Sequence, residues 1–225
     1  MKYLLSFLFA FNLEAIAIEV QEPKYTASVV PKHMSLKEKK ARFYYLVVPA
    51  VYKVYNELLV EYHTIKANID ANITTPQLLT LKAIYHVETN EDLLLALKPH
   101  PKSIAIAQAA MESAWGTSRF FREANNVFGM WSKNKSDKRI AASQKRGGTR
   151  TIWLRKFDSL EESVREYYKT MGRAKAYEQF RIYRYRTDDV FTIIMGLDKY
   201  SEIGLRYVEE LSNMIHYNNL TKFDK

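Results

Sequence analysis

Glu112 stands in the setting most able to do chemistry. It closes the run Ala105-Ile106-Ala107-Gln108-Ala109-Ala110-Met111-Glu112-Ser113-Ala114-Trp115-Gly116. Alanine is the best helix former and adds almost no bulk, so this run reads as a helix able to lie deep in a core, ended by a glycine. Glu112 falls in the last turn. A carboxylate buried there is driven toward its neutral form by desolvation, and the negative end of the helix dipole pushes the same way. Trp115, three positions on, falls on the same helical face and could supply an apolar wall. A glutamate that keeps its proton near neutral pH is what general-acid cleavage of a glycosidic bond requires. The same residues also fit a surface glutamate on an alanine-rich helix, and this stretch alone leaves both readings open.

Other chemistries find less support. The histidines, His33, His63, His86, His100 and His216, are scattered, with no His-Glu-x-x-His spacing and no Gly-x-Ser-x-Gly elbow. His100, between Pro99 and Pro101, reads as a loop residue. No metal site and no cofactor are expected. Cysteine is absent, which excludes disulfides and thiolate metal ligation. The net charge of +9 calls for an anionic partner, whether nucleic acid, membrane surface or an acidic polymer such as a bacterial wall. No nucleic-acid-binding motif accompanies the charge, so nucleic acid is not the expected partner. Part of the charge collects in a polar loop over 133–150, where Lys133, Lys135, Lys138, Arg139, Lys145, Arg146 and Arg150 face one acid, Asp137.

Residues 1–17 carry the marks of a secretory signal: Lys2, the apolar run Tyr3–Phe11, and Ala15-Ile16-Ala17 as the small-x-small site. The expected product is an exported, periplasmic or envelope-associated protein without stable membrane insertion after cleavage; an uncleaved anchor is the alternative. Residues 18–34, with Pro23 and Pro31, read as a linker. An N-terminal helical region follows over 35–98. It opens on Ser35 with Glu38 as a capping box, is kinked or divided at Pro49, and continues in helices from Pro76 and from the cap Asn90. Residues 99–225 form the second unit. Beyond the central helix, Val127–Trp131 and Thr151–Phe157 read as the strands of a small β-hairpin, followed by helices and a C-terminal tail that should fray. The fold class is α+β, mostly helical.

The run Ala107–Gly116, followed by Asn126-Val127-Phe128-Gly129, resembles the FlgJ-type peptidoglycan glucosaminidases of glycoside hydrolase family 73, and within them the Bax-type bacterial proteins. Lys39-Lys40-Ala41-Arg42-Phe43, Phe157–Val164 and Met171-Gly172 to Tyr177 extend the likeness over about residues 35–217. The resemblance implies a lysozyme-like fold and hydrolysis of the β-1,4 bond after N-acetylglucosamine in peptidoglycan glycan strands. It implies Glu112 as general acid, Tyr177 lining the cleft beside the scissile sugar, and Asn126, Phe128 and Gly129 shaping its floor. Glycosidases ordinarily use two carboxylates, and here the second is unassigned. Asp137 lies in the basic loop, Asp158 reads as a helix cap, and Glu123 has Arg119 and Arg122 as partners. The substrate's own acetamido group is the other possible nucleophile. Ser132 stands where the Bax-type sequences usually carry cysteine. A catalytically inactive wall-glycan-binding module is the alternative function, a charge-driven membrane or nucleic-acid binder a weaker one, and a monomer is the expected state.

Overall fold

A computed structural model describes residues 24–142 and 151–225. The segment expected to be a secretory signal, the first residues of the expected linker and the tip of the basic loop, which holds Lys145, Arg146 and Arg150, lie outside the described residues.

Helix α1 (Leu36–Asp70) starts at the expected capping box: Ser35 Oγ accepts from the Glu38 amide, and Glu38 Oε2 accepts from the Ser35 amide at 2.8 Å. Pro49 does not divide it. Proline removes one amide donor, but the carbonyl left over belongs to Tyr45, which lies on the exposed face with Pro49, where water can satisfy it. The opposite face buries Phe43, Val47, Ala50, Val51 and Val54. Helices α2 (Pro76–Tyr85) and α3 (Asn90–Leu97) close a smaller core over the end of α1, through Tyr62, Ile65, Leu81, Tyr85 and Leu93. The cap of α3 is Thr89 rather than Asn90: its hydroxyl accepts from the Asp92 amide, and Asn90 is the first helical residue.

Helix α4 (Lys102–Glu112) is the buried axis of the larger core, every residue from Lys102 to Ala110 being buried. The small side chains let α1 on one side and α9 on the other approach closely. Pro101 cannot cap α4 with a side chain. Asp224 does so instead, its Oδ1 accepting from the Ser103 amide at 2.8 Å. The C-terminal tail therefore does not fray: a 3-10 turn over Leu220–Phe223 docks on α4 with Leu220 fully buried.

Helix α5 (Arg119–Ala124) begins at the cap Ser118. The expected first strand, 127–131, is a turn. Trp131 alone bridges Leu154, and the two-stranded antiparallel sheet pairs β1 (Arg139–Ala141) with β2 (Trp153–Arg155), Ile140 opposite Leu154. Helix α6 (Leu160–Arg173) packs on α1 and α3. Gly172 lies inside it, where any larger side chain is excluded: a Cβ there would meet Tyr85 Cε1 at 2.6 Å and the Ala96 carbonyl at 2.7 Å. A 3-10 turn over Lys175–Tyr177 leads to α7 (Glu178–Arg186), then α8 (Val190–Ile194), a 3-10 turn over Met195–Leu197, and α9 (Leu205–Tyr217). The result is a mostly helical α+β architecture: a buried helix ending in an acid, with a small β lobe beside it. The N-terminal helices are built into the core rather than set apart.

Candidate active site

The end of α4 aims Glu112. The helix stops there because the backbone turns left-handed at Ala114 (φ 50°), Trp115 (φ 59°) and Gly116 (φ 71°). Two of these are not glycine, a conformation that costs of order 1–2 kcal/mol each and needs local bonds to hold it. Ser113 provides them: its hydroxyl donates to the Ala109 carbonyl at 2.5 Å and accepts from the Gly116 amide at 2.8 Å. The Trp115 amide reaches back to the Ala110 carbonyl at 2.8 Å.

This ending corrects two expectations. With the helix finished at Glu112, the three-residue spacing no longer sets Trp115 on the same face. Its ring packs edge-on against Phe43 and Tyr44 of α1, under the ammonium of Lys40, and is not among the residues lining the groove. Nor is Glu112 sealed from water. It is exposed on the wall of an open groove of about 980 Å³, because the helix end reaches the surface there. Protein atoms still crowd it on the helix side. That partial desolvation raises its pKa above the ordinary glutamate value, while the neighbouring Tyr207 hydroxyl pulls the other way.

The groove runs between the β lobe and α6. Phe128 and Gly129 line it, Phe128 stacked on Tyr167 with centroids 3.9 Å apart. Asn126 does not line it. It is buried and closes the turn beneath: its Nδ2 donates to the carbonyls of Met130 and Arg155, each at 2.9 Å, and its Oδ1 accepts from the Met130 amide at 2.8 Å. Gly129 takes φ 64° in that turn, and a Cβ there would meet nothing within 4 Å, so the backbone faces open groove. Tyr177 lines the same wall as Glu112. Its hydroxyl is pushed to higher pKa by burial first and by the Glu112 charge second.

Several groove residues escaped the sequence reading. Glu166 of α6 pairs through one carboxylate oxygen with two guanidinium groups, Arg173 at 2.7 Å and Arg155 at 3.1 Å. With Lys169 on the same wall, the α6 side of the groove carries excess positive charge. The signal was present: Glu166, Lys169, Thr170 and Arg173 follow the i, i+3, i+4, i+7 pattern of one helix face, but that pattern also describes a solvated stripe. Trp131, 53% exposed, and Tyr200 were likewise missed as lining residues. Of the acids considered for a second role, Asp137 reaches the groove and accepts from the Ser132 hydroxyl at 2.9 Å. Asp158 is exposed and paired with Lys138, while Ser159 caps α6. Glu123 pairs with Arg119. His100 is the expected loop residue, between α3 and α4, and is fully buried there. Among the described residues no cluster of metal-ligating side chains occurs, and no helix is long and apolar enough to cross a membrane.

Residues 93–220 match the family model described as mannosyl-glycoprotein endo-beta-N-acetylglucosaminidase. That is more than half of the chain, and the chain belongs to this glucosaminidase family. It is also similar to Protein bax of Escherichia coli (strain K12), 37% identical over 81 residues, which are 36% of this chain and 27% of that protein. The match thus spans about a quarter of the curated relative's length. Among solved structures, the catalytic domain of the autolysin Auto from Listeria monocytogenes is 22% identical, with 71% of this chain and 97% of that one covered at a TM-score of 0.47. The glycoside hydrolase domain of FlgJ from Salmonella typhimurium is 21% identical, with 63% and 89% covered at 0.43.

Proposed function

We propose that this protein is a peptidoglycan hydrolase that cleaves the β-1,4 bond after N-acetylglucosamine, with Glu112 as general acid. The observation that carries this reading is the carboxyl group of Glu112 on the wall of a glycan-sized groove, held by its surroundings toward the protonated form. A sugar chain seated in the groove displaces water from Glu112 and raises its pKa further, so the acid is best primed when substrate is bound. Protonation of the departing glycosidic oxygen then relieves the charge on the leaving group. Phe128, Gly129 and Tyr177 contact the sugars around the bond, while Asn126 fixes the turn that presents the first two. Trp131 offers an exposed ring on which a sugar face can stack. Lys169 and the arginines bound to Glu166 meet the lactyl and stem-peptide carboxylates of the polymer. Asp137, on the facing lobe, is the carboxylate best situated to assist water or the acetamido group. Substrate of this kind sets the site of action in the cell envelope.

The test is mass spectrometry of fragments released from purified sacculi. The parent releases fragments with reducing N-acetylglucosamine ends, and Glu112→Gln lowers the rate by about 10²–10⁴-fold, the usual worth of a positioned general acid. Equal digestion by the Gln variant refutes the assignment of Glu112. Reducing N-acetylmuramic acid ends refute the bond. The competing reading is a glycan-binding module without activity, favoured by the engagement of Glu166 with two arginines. Tight binding of sacculi with no reducing ends released by the parent supports that module instead.

A further inference from the structure

The groove has two ends of different character. At one, Glu112 neighbours the rings of Tyr177 and Tyr200. At the other, α6 presents Glu166, Lys169, Thr170 and Arg173, with no aromatic side chain among them. The charges keep the two ends apart. Burial raises the pKa of both Tyr177 and Tyr85, but Tyr177 then feels Glu112, whereas Tyr85 feels, after Glu61 and Arg184, the charges of Arg173 and Glu166. The N-terminal helices close the charged end. Gly172 lets Tyr85 lie directly on α6, and the next residue, His86, takes φ 57° at the end of α2 and lines the groove there.

Charge at this end is unbalanced. Arg173 and Arg155 share the one oxygen Oε1 of Glu166, so the triad keeps one positive charge. The Glu166 side chain is only 16% exposed, and solvent screens the triad only in part. Lys169, one helical turn from both Glu166 and Arg173, has no ion pair among the described residues and adds a second positive charge. An incoming carboxylate completes the triad as two guanidinium groups against two carboxylates, with charge-assisted hydrogen bonds. Glu166 Oε2, which has no partner among the described residues, is left to accept an N–H from the same ligand.

These features suit a peptide better than a sugar. Sugar faces stack on rings, and this wall offers charges instead. In a peptidoglycan strand the carboxylates belong chiefly to the stem peptide. Where that peptide is attached, the lactyl carboxyl is taken up in the amide bond that holds it. The wall from Glu166 to Arg173 is about 10 Å long at ~1.5 Å per helical residue, the length of about three extended residues.

We propose that the α6 end of the groove is a subsite for the stem peptide, where the Arg155–Glu166–Arg173 triad and Lys169 take peptide carboxylates, so that the protein selects peptide-bearing strands over bare glycan. The inference rests on the hydrolase reading and adds a specificity to it.

The experiment compares three forms of purified sacculi: intact, stripped of stem peptides by an amidase, and intact with the peptide carboxylates chemically amidated. For the parent, kcat/KM on intact sacculi exceeds that on the other two by about tenfold, the worth of one charge-assisted contact. In Lys169→Gln and Arg173→Gln this preference shrinks to about twofold or less, through a higher KM on the intact material. A merely structural effect of these changes lowers all three rates together and keeps the parental ratio, which overturns the subsite. A parent that prefers stripped strands takes the lactyl carboxylate instead, and a parent with equal rates on all three has only a solvated wall; either result overturns the proposal. Cosedimentation of Glu112→Gln with the same three materials measures binding apart from turnover. Should the parent release no reducing ends from any of them, the hydrolase reading fails. Tighter binding of Glu112→Gln to intact sacculi than to the other two then still upholds the peptide subsite, and equal binding removes it as well.

Discussion

Arg42 offers the sharpest test of how the molecule holds its site together. It is fully buried in α1, and all its acceptors are backbone carbonyls: Nε donates to Val29 at 3.1 Å, Nη2 to Thr26 at 2.7 Å and Ala27 at 2.8 Å, and Nη1 to Gly116 at 2.8 Å. Burial first, and Arg122 nearby second, push its pKa below the usual arginine range. One side chain therefore pins both the segment before α1 and the left-handed turn that follows Glu112. Bonds to a charged donor are worth about 1.5–3 kcal/mol each, so four give roughly 6–12 kcal/mol gross. Burying the guanidinium consumes several kcal/mol of that. In Arg42→Met the carbonyls at 26–29 can lift into water, leaving chiefly that of Gly116 stranded. The net loss is about 3–4 kcal/mol, which in a chain of this size lowers Tm by about 10 °C. Urea unfolding followed by circular dichroism measures it, and amide exchange should show residues 24–34 losing protection first. A loss below about 1 kcal/mol with that protection intact would refute the reasoning.

Three more predictions probe other parts of the fold. Gly172→Ala places a methyl group against Tyr85 and the immobile Ala96 carbonyl, and should cost about 2–3 kcal/mol in urea unfolding; a change under 0.5 kcal/mol would mean that α6 shifts freely over α3. Trp131→Ala removes an exposed ring from the groove. It should raise KM for sacculi by about fivefold, the equivalent of ~1 kcal/mol, with Tm unchanged within a degree. Glu112→Gln should stabilise the fold at neutral pH. A carboxyl whose folded pKa is raised contributes stability that is full below its unfolded value and lost as pH rises through the folded one, so the gain on substitution appears above that window and vanishes in acid. Thermal melts across pH 3–8 read the difference, and a Gln variant less stable than the parent at neutral pH contradicts the sign.

What was legible in the sequence was local. Ser35 with Glu38 caps the helix expected of it, and Thr75 and Ser118 do the same for α2 and α5, because a cap is a bond between residues three apart. The burial of α4 followed from its alanines. The errors arise where one side-chain bond or a helix end overrides the neighbouring pattern. The apolar run at 127–131 has strand composition, yet the carboxamide of Asn126 bonds Met130 at both ends and folds it into a turn. Sequence alone predicts a frayed tail because nothing in the tail itself reveals that Asp224 caps a helix through Ser103, 121 residues away. Trp115 was set beside Glu112 by helical spacing, and that spacing ends with the helix.

The same reasoning bounds the unit that does the work. The matched family segment, 93–220, contains Glu112 and the β lobe. It excludes α1, whose Phe43, Val47, Val51 and Val54 are fully buried in the same core as α4, and whose Arg42 bonds Gly116. It also excludes Asp224, which caps the start of α4. Both ends of the helix that carries the acid are thus secured by residues outside the segment that defines the family. The geometry of Glu112 is therefore a property of the longer span from the segment pinned by Arg42 to Asp224, and α1 acts as a wall of the core that carries Glu112 rather than as an appended module.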